Sequence, residues 1–181
     1  MDGPALGTLD WQPALDRPDL LAAPVASALG AAGAGWFVAP INPDLADTAA
    51  FCATYAVPLE ASANCVVVAG RRADTTTLAA CLVLATDRAD VNKTVRRHLD
   101  VRKISFAPMA EAVEQTGMEH GGITPVGLPG DWPLLVDRQV VDAGWVVVGS
   151  GTRAGKLAVR GEDLARLPGA EVLALAVSAA G

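Results

Sequence analysis

The segment 116–129 has the composition of a loop that brings backbone groups against a ligand. It contains four glycines and two prolines. Glycine allows close approach of an N–H group or a positive φ, and proline fixes the neighbouring dihedral angles. Such a loop can direct amide dipoles at a developing oxyanion without reorganisation. We predict that amides near Gly121, Gly122 and Thr124, with Pro125 holding the loop, bind an acyl or phosphoryl oxygen. An ordinary connection with two tight turns is the alternative.

Two side chains near this loop could take part in acid–base chemistry or substrate binding. His120 directly precedes the glycine pair, and Asp137 ends the strand predicted after the loop. An exposed loop histidine and a helix-capping aspartate are the alternatives. Cys65 would need a neighbouring base to act as a nucleophile, and the sequence places no histidine near it. Cys52, Cys65 and Cys81 are therefore predicted to be reduced core residues.

A second glycine-rich segment, Gly149 to Lys156, resembles a phosphate-binding loop only superficially. The Walker A pattern needs four residues between its glycines and a Ser or Thr after the lysine. Here three residues separate Gly151 from Gly155, and Leu157 follows the lysine. The pattern excludes that type of nucleotide site and favours a glycine-rich hairpin.

The elements that must position these loops alternate between helix and strand. Capping residues and apolar runs predict helices at 48–55, 91–99, 109–115 and 162–167. Strands are expected at 65–69, 76–85, 103–106, 134–136, 145–149, 155–159 and 172–177. The first two strands suggest an antiparallel hairpin. This order predicts a mixed α/β (α+β) fold, with a curved mixed sheet flanked by helices.

The N-terminal part is harder to assign from its pattern. Residues 1–16 lack a clear period and are predicted to be a loose leader, followed by one domain at 17–181. No charged residue lies between Leu20 and Ile41, a length that could span a membrane. Its many alanines and glycines, with Pro24 and Pro40, instead favour a helix that starts near Pro18, then a turn and a strand at 36–39.

The overall composition limits the classes of function. Of the 181 residues, 51% are hydrophobic and 19% are charged, which is typical of a globular domain. A formal charge of −6 and a pI near 4.8 argue against broad nucleic-acid binding, but they leave room for one local basic pocket. Three cysteines without a CxxC motif or companion histidines predict no metal site and a reducing, cytoplasmic environment. The first residues lack the basic segment of a signal peptide.

Six stretches of the chain match, in order and spacing, a known family. They include Gly-Gly-Ile-Thr-Pro-Val-Gly at 121–127, and the others lie at 102–107, 116–117, 134–137, 149–153 and 156–159. Over roughly residues 45–175 the chain resembles the YbaK/ProX family of aminoacyl-tRNA editing domains. The resemblance implies a distorted, barrel-like mixed sheet and a free-standing deacylase that hydrolyses the ester of a mischarged tRNA. It implies no cofactor, and its partners would be a tRNA acceptor end carrying a small wrong amino acid and, as a second candidate, a synthetase.

The resemblance also assigns residues to the site. The loop Gly121–Pro125 would bind the ester carbonyl, and Gly149, Ser150 and Gly151 would form a pocket wall. Substrate contacts would come from His120, Gly127, Asp137 and Asn64.

One position departs from the family pattern. Members with editing activity carry a lysine at the start of the strand that here begins near Cys65, and this chain has Asn64 there. Asparagine donates a hydrogen bond but brings no positive charge. Five other basic residues are available in principle: Arg71, Arg72, Arg102, Lys103 and Arg153.

Three hypotheses about function follow. The first is a trans-editing aminoacyl-tRNA deacylase. The alternative is a non-catalytic module that binds an aminoacyl group, a nucleotide or a synthetase in a degenerate pocket. The third is hydrolysis of a small acylated molecule unrelated to tRNA.

Overall fold

A computed structural model describes residues 3–33 and 35–179. Its strands are β1 (Gln12–Pro13), β2 (Phe37–Pro40), β3 (Ala63–Arg72), β4 (Thr75–Leu84), β5 (Asp87–Ala89), β6 (Lys103–Phe106), β7 (Leu134–Asp137), β8 (Trp145–Gly149), β9 (Gly155–Arg160), β10 (Ala170–Leu173) and β11 (Ala176–Ser178). The α-helices are α1 (Ala23–Ala32), α2 (Thr48–Tyr55), α3 (Arg96–His98), α4 (Met109–Thr116), α5 (Arg138–Asp142) and α6 (Gly161–Leu164). Short helical turns lie at Ala14–Asp16, Pro18–Leu20, Pro43–Leu45, Leu59–Ala61 and Val91–Val95.

The described strands form three open sheets. The largest has the order β10-β7-β4-β3-β6, the second has the order β1-β2-β9-β8, and β11 pairs with β5. A parallel bridge between Ser62 and Val147 joins the first two sheets beside the start of β3. The mixed α/β single domain is as predicted, and its described sheets are open rather than closed into a barrel.

The largest hydrophobic cluster lies between the two main sheets and helix α1. Leu29 of α1, Val38 of β2, Leu82 of β4 and Leu157 of β9 are fully buried in it. Because side chains alternate along a strand, this cluster takes Leu157 and Val159 from β9 and leaves Lys156 on the other face. That alternation directs Lys156 away from the main core.

Several predicted elements are confirmed with their caps. Asp47 caps α2, since its Oδ1 accepts hydrogen bonds from the amides of Ala49 and Ala50 at 3.1 and 3.3 Å. Gly117 ends α4 in the left-handed conformation, with φ of 67°. Strands β3 and β4 form the predicted antiparallel hairpin, longer than expected, with Arg72 opposite Thr75.

Other predictions need correction. The N-terminal helix begins at Ala23 rather than near Pro18, where the chain makes only a short turn. The predicted strand 172–177 is two strands, because Asp137 Oδ1 accepts the amides of Leu175 and Ala176 where the chain changes sheet. The short elements β1, β5 and α5 had no usable sequence signal.

The residues before Pro18 are in contact with the rest of the domain. Gln12 pairs with Val38 of β2, and Trp11 packs beside the cluster that contains Phe51. In the described part of the chain, no helix is long and apolar enough to cross a membrane. The described residues of the uncharged stretch from Leu20 to Ile41 include helix α1 and strand β2.

Candidate functional site

A cavity of about 630 Å³ opens where the two main sheets meet, a size typical of small-molecule sites. Its walls come from the start of β3, the N-terminus of α2, the glycine loop and the ends of β8 and β9. The lining residues are Ala46, Asp47, Thr48, Ala49, Leu59, Ala63, Asn64, Cys65, Val66, Val67, Ala85, Phe106, Ala107, Met109, Ala112, Gly121, Ile123, Gly149 and Lys156. The loop, the β3 position and the second glycine-rich segment singled out in the sequence therefore contribute to one cavity.

The two glycine-rich segments are packed backbone to backbone. The amide of Gly151 donates to the carbonyl of Gly122 at 2.8 Å, and the amide of Glu119 donates to the carbonyl of Gly151 at 2.8 Å. A Cβ on Gly149 would lie 2.6 Å from the Gly122 oxygen, so no side chain fits there. This close contact fixes the position of the loop at the cavity.

Two amides of the loop have no acceptor among the described residues. Gly122 donates to the carbonyl of Glu119 at 2.9 Å, and the Thr124 amide faces the sulfur of Met118 at 3.5 Å. The amides of Gly121 and Ile123 make no such bond, and both residues line the cavity. The cavity-lining loop residues whose amides have no described acceptor are thus Gly121, which the sequence analysis named, and Ile123, which it did not name.

Asn64 lies in the cavity wall and is held in place by helix α2. Its Oδ1 accepts a hydrogen bond of 2.5 Å from the hydroxyl of Thr48. That bond leaves the amide NH₂ group without a described acceptor, so it can donate to a ligand.

Lys156 reaches the same cavity from β9. Its side chain is only 7% exposed, and Nζ donates to the carbonyl oxygen of Ala46 at 2.9 Å. Nζ also lies 5.1 Å from the ring centroid of Phe51, a cation–π contact. Burial lowers the pKa of Lys156 to about 8. Cys52 and Asp47 raise this pKa by smaller amounts, and Arg153 lowers it by a smaller amount. Sequence analysis missed this residue, although a lone lysine in an apolar strand was a usable signal.

The other titratable groups in the cavity wall are Asp47 and Cys65. Asp47 uses Oδ1 for the α2 cap and keeps Oδ2 free of described hydrogen bonds. Burial strongly raises the pKa of Cys65, so its thiol stays protonated and is a poor nucleophile. The pKa of Cys81 is raised by burial to about 12. Both cysteines pack among apolar residues as predicted.

Eight predicted site residues lie outside the lining of this cavity: His120, Gly122, Thr124, Pro125, Gly127, Asp137, Ser150 and Gly151. His120 is exposed beside it, and its carbonyl accepts from Arg153 at 3.2 Å. Pro125 and Gly127 line a second, largely apolar cavity on the other side of the loop. Ser150 and Gly151 are buried behind Gly149, and the Thr124 hydroxyl is buried without a described partner.

Asp137 has its carboxylate occupied by backbone groups. Its Oδ1 accepts from Leu175 and Ala176 at 2.9 and 3.0 Å, and Oδ2 accepts from Gln139 at 3.0 Å. It is 2% exposed and lies outside the cavity lining. Asp137 is therefore the N-cap of α5, as in the alternative interpretation of this residue as a helix cap.

Basic residues gather at one edge of the large sheet. Eight of the fourteen Lys and Arg residues fall within 71–103, against four of the twenty acidic residues. In the edge strand β6, Lys103 is paired with Arg71, and Arg102 donates its amide to the Arg71 carbonyl at 2.9 Å. Phe106, at the other end of β6, is 66% exposed and lines the cavity. The edge is continuous with the mouth of the cavity.

Across residues 3–33 and 35–179, no group of three or more His, Cys, Asp or Glu side chains is placed to hold a metal ion. The polar groups of the cavity lining include the Asp47 carboxylate, the Lys156 ammonium, the Asn64 carboxamide, the Thr48 hydroxyl and the Cys65 thiol.

A family model for the aminoacyl-tRNA editing domain matches residues 42–167. The chain belongs to this family. The matched region contains every cavity-lining residue. The family recognised from the sequence motifs is thereby confirmed.

Solved structures show the same fold at low sequence identity. A hypothetical protein, APE2540, matches with a TM-score of 0.75 at 23% identity, covering 85% of this chain and 99% of that one. A proposed trans-editing enzyme for prolyl tRNA synthetase matches with a TM-score of 0.73 at 23% identity, covering 87% of this chain and 97% of its own. A proposed signal transduction protein from Marinobacter aquaeolei contains a similar unit, with a TM-score of 0.61 at 20% identity, over 86% of this chain and 30% of its own length.

Proposed function

We propose that the protein is a trans-editing deacylase that hydrolyses the ester between a small amino acid and the 3′ end of a mischarged tRNA. One observation carries the proposal: Gly121 and Ile123, whose amides have no described acceptor, line the same cavity as Asp47, Asn64 and Lys156. A carbonyl oxygen, an ammonium group and polar ribose atoms of an aminoacyl ester each have a counterpart there.

The loop amides would stabilise the charge that forms during hydrolysis. Water adds to the ester carbon, and the carbonyl oxygen becomes an oxyanion that the amides of Gly121 and Ile123 can bind. The ribose oxygen then leaves with a proton, giving the free amino acid and the tRNA hydroxyl. Donors placed before the reaction supply a large stabilisation because they need no reorganisation.

Asp47 would bind the amino group of the substrate. An aminoacyl ester differs from a simple ester by an α-ammonium group, and the free Oδ2 of Asp47 can accept a charge-assisted hydrogen bond. This contact would distinguish aminoacyl esters from other acyl esters.

Small side chains in the cavity wall support a small amino acid as substrate. Ala46, Ala63 and Ala112 line the cavity, and all three are buried. Hydrolytic editing is useful for such residues, since a synthetase pocket separates substrates that differ by one methylene by only about 1–3 kcal/mol.

The basic edge would bind the acceptor strand of the tRNA. Arg71, Arg102 and Lys103 are exposed along the edge that leads to Phe106. Cationic side chains bind phosphates, and an exposed aromatic ring can stack on an unpaired base. A local patch of this kind reconciles the net charge of −6 with a tRNA partner, and a tRNA substrate in turn implies a cytoplasmic protein.

A panel of mischarged tRNAs tests the proposal. The purified protein should release a small amino acid from at least one of them well above the uncatalysed rate. Tight binding of aminoacyl-tRNA without turnover would instead support the non-catalytic module. Cleavage of free aminoacyl esters with no preference for tRNA would support the small-molecule hydrolase.

A further inference from the structure

We propose that Lys156 supplies, from β9, the positive charge that related editing domains carry on β3 at the position of Asn64. The inference rests on the proposed function and concerns the same cavity. It assigns a substrate-binding cation to a position outside the family's pattern.

The two positions lie on different sheets but line one cavity. Asn64 belongs to β3 of the five-stranded sheet, and Lys156 belongs to β9 of the four-stranded sheet. Both contact the segment that begins helix α2: Asn64 bonds to Thr48, and Lys156 bonds to Ala46. A cation on either strand therefore serves the same part of the cavity.

The ammonium of Lys156 has donors to spare. A lysine ammonium carries three N–H groups, and the described hydrogen bonds use one of them, to Ala46. Among the described residues, no carboxylate lies within ion-pair distance of Nζ. The remaining donors are free to bind a phosphate, a ribose oxygen or the ester carbonyl.

Burial of a lysine without an anionic partner destabilises the fold, so a buried unpaired lysine suggests a functional role. Desolvation of the ammonium costs free energy, and an apolar side chain on β9 would pack against Phe51 without that cost. Unpaired buried charges of this kind concentrate at functional sites. The titratable groups around Lys156 are Asp47 at the N-cap of α2, the Cys52 thiol on α2 and Arg153 in the preceding turn, and no described ion pair joins Asp47 to Nζ.

Neutral Asn64 and positively charged Lys156 line the same cavity from different strands. With Lys156 in place, a second lysine at position 64 would bring two like charges into one small cavity, which is unfavourable. A neutral donor at position 64 avoids that repulsion and still offers an NH₂ group. The departure from the family pattern at Asn64 is thus accounted for by the lysine across the cavity.

The test compares four proteins: the natural chain, Lys156→Met, Asn64→Lys and the double variant Asn64→Lys/Lys156→Met. On the tRNA that the natural protein cleaves fastest, Lys156→Met should lower kcat/KM by about 100-fold, the usual effect of losing one donor to the transition state. The double variant should recover to within about tenfold of the natural protein, because the charge returns from the other wall. Asn64→Lys alone should give no gain. Arg138→Met removes an exposed positive charge on α5, away from the cavity lining and from the basic edge, and is the matched control.

Three results would overturn the inference. They are wild-type activity in Lys156→Met, no recovery in a double variant that folds normally by circular dichroism, or a large gain in Asn64→Lys alone. The pH profile separates binding by charge from mere support of the Ala46 carbonyl. After subtraction of uncatalysed hydrolysis, kcat/KM of the natural protein should fall above pH 8 as Lys156 loses its proton. A purely structural lysine predicts no such fall.

A binding experiment keeps this inference separate from the proposed function. If the natural protein cleaves no mischarged tRNA, the proposed function fails, and the four proteins are compared by calorimetry with a non-hydrolysable 3′-aminoacylamino-adenosine. Weaker binding by Lys156→Met that recovers in the double variant supports the relocated charge. Equal binding by all four overturns it.

Discussion

The carbonyl of Gly122 accepts a hydrogen bond from the amide of Gly151 at 2.8 Å, and this bond connects the glycine loop to the β8–β9 hairpin that carries Lys156. Two segments that are separate in sequence thereby become one wall of the cavity. Because the contact is between backbones, it depends on the absence of side chains at Gly122 and Gly149. The position of the Gly121 and Ile123 amides follows from that contact.

Replacement of Gly149 by alanine should displace the loop. The new Cβ would lie 2.6 Å from the Gly122 oxygen and 2.9 Å from the Ile123 oxygen, both of them backbone atoms. We expect deacylase kcat/KM to fall at least tenfold, with a loss of about 1–3 kcal/mol in the free energy of unfolding, as for overpacked cores. Gly30→Ala is the control, since a Cβ there meets nothing within 4 Å. Full activity in Gly149→Ala would show that loop position is not limiting.

Asp47→Asn should weaken recognition of the substrate amino group. Asparagine is as good a helix cap as aspartate, so the fold should be kept while the negative charge is lost. We expect kcat/KM to fall about tenfold for aminoacyl-tRNA and to stay unchanged for N-acetyl-aminoacyl-tRNA, which has no ammonium group. Asp44→Asn, at an exposed neighbour outside the cavity lining, is the control. Equal losses on both substrates would contradict an ammonium contact.

Lys103→Glu should weaken tRNA binding without affecting the chemical step. The side chain is exposed on β6 beside Arg71, so the reversal places a negative charge on the basic edge. KM for mischarged tRNA should rise about tenfold, and the salt dependence of binding should become shallower. Turnover of a minimal aminoacyl-adenosine should be unaffected. Arg138→Glu, on α5, makes the same reversal away from this edge and should leave KM unchanged.

Lys156 should make stability depend on pH in a defined range. Its folded-state pKa of about 8 lies below the ordinary 10.5, so between these values the unfolded chain holds a proton that the folded chain has released. The free energy of unfolding of the natural protein should therefore rise with pH relative to Lys156→Met. The rise should amount to about 3 kcal/mol by pH 10.5. Urea titrations of both proteins at pH 7 and pH 10.5 measure it. A constant difference would mean that the ammonium is not desolvated.

Local sequence signals predicted most of the elements. Capping residues, glycine and apolar runs predicted four features: helix α2 with its cap at Asp47, strand β6, the end of α4 at Gly117, and the β3–β4 hairpin. These signals act over a few residues, so they can be recognised without knowledge of the fold. The prediction of a single strand at 172–177 was wrong because the apolar run there is continuous in sequence. The change of sheet within it depends on hydrogen bonds to Asp137, which is far away in sequence.

The sequence by itself determined the family and the glycine loop, and it predicted that Asn64 stands where related domains have a lysine. It could not show that Lys156 enters the same cavity. Side chains alternate along β9, so Lys156 and Leu157 lie on different faces of the strand. Which of these two faces borders the cavity depends on the packing of α2 and on the bridge between the two main sheets. Only the tertiary structure decided that Asn64 and Lys156 share one cavity, because that proximity arises from long-range packing and not from spacing along the chain.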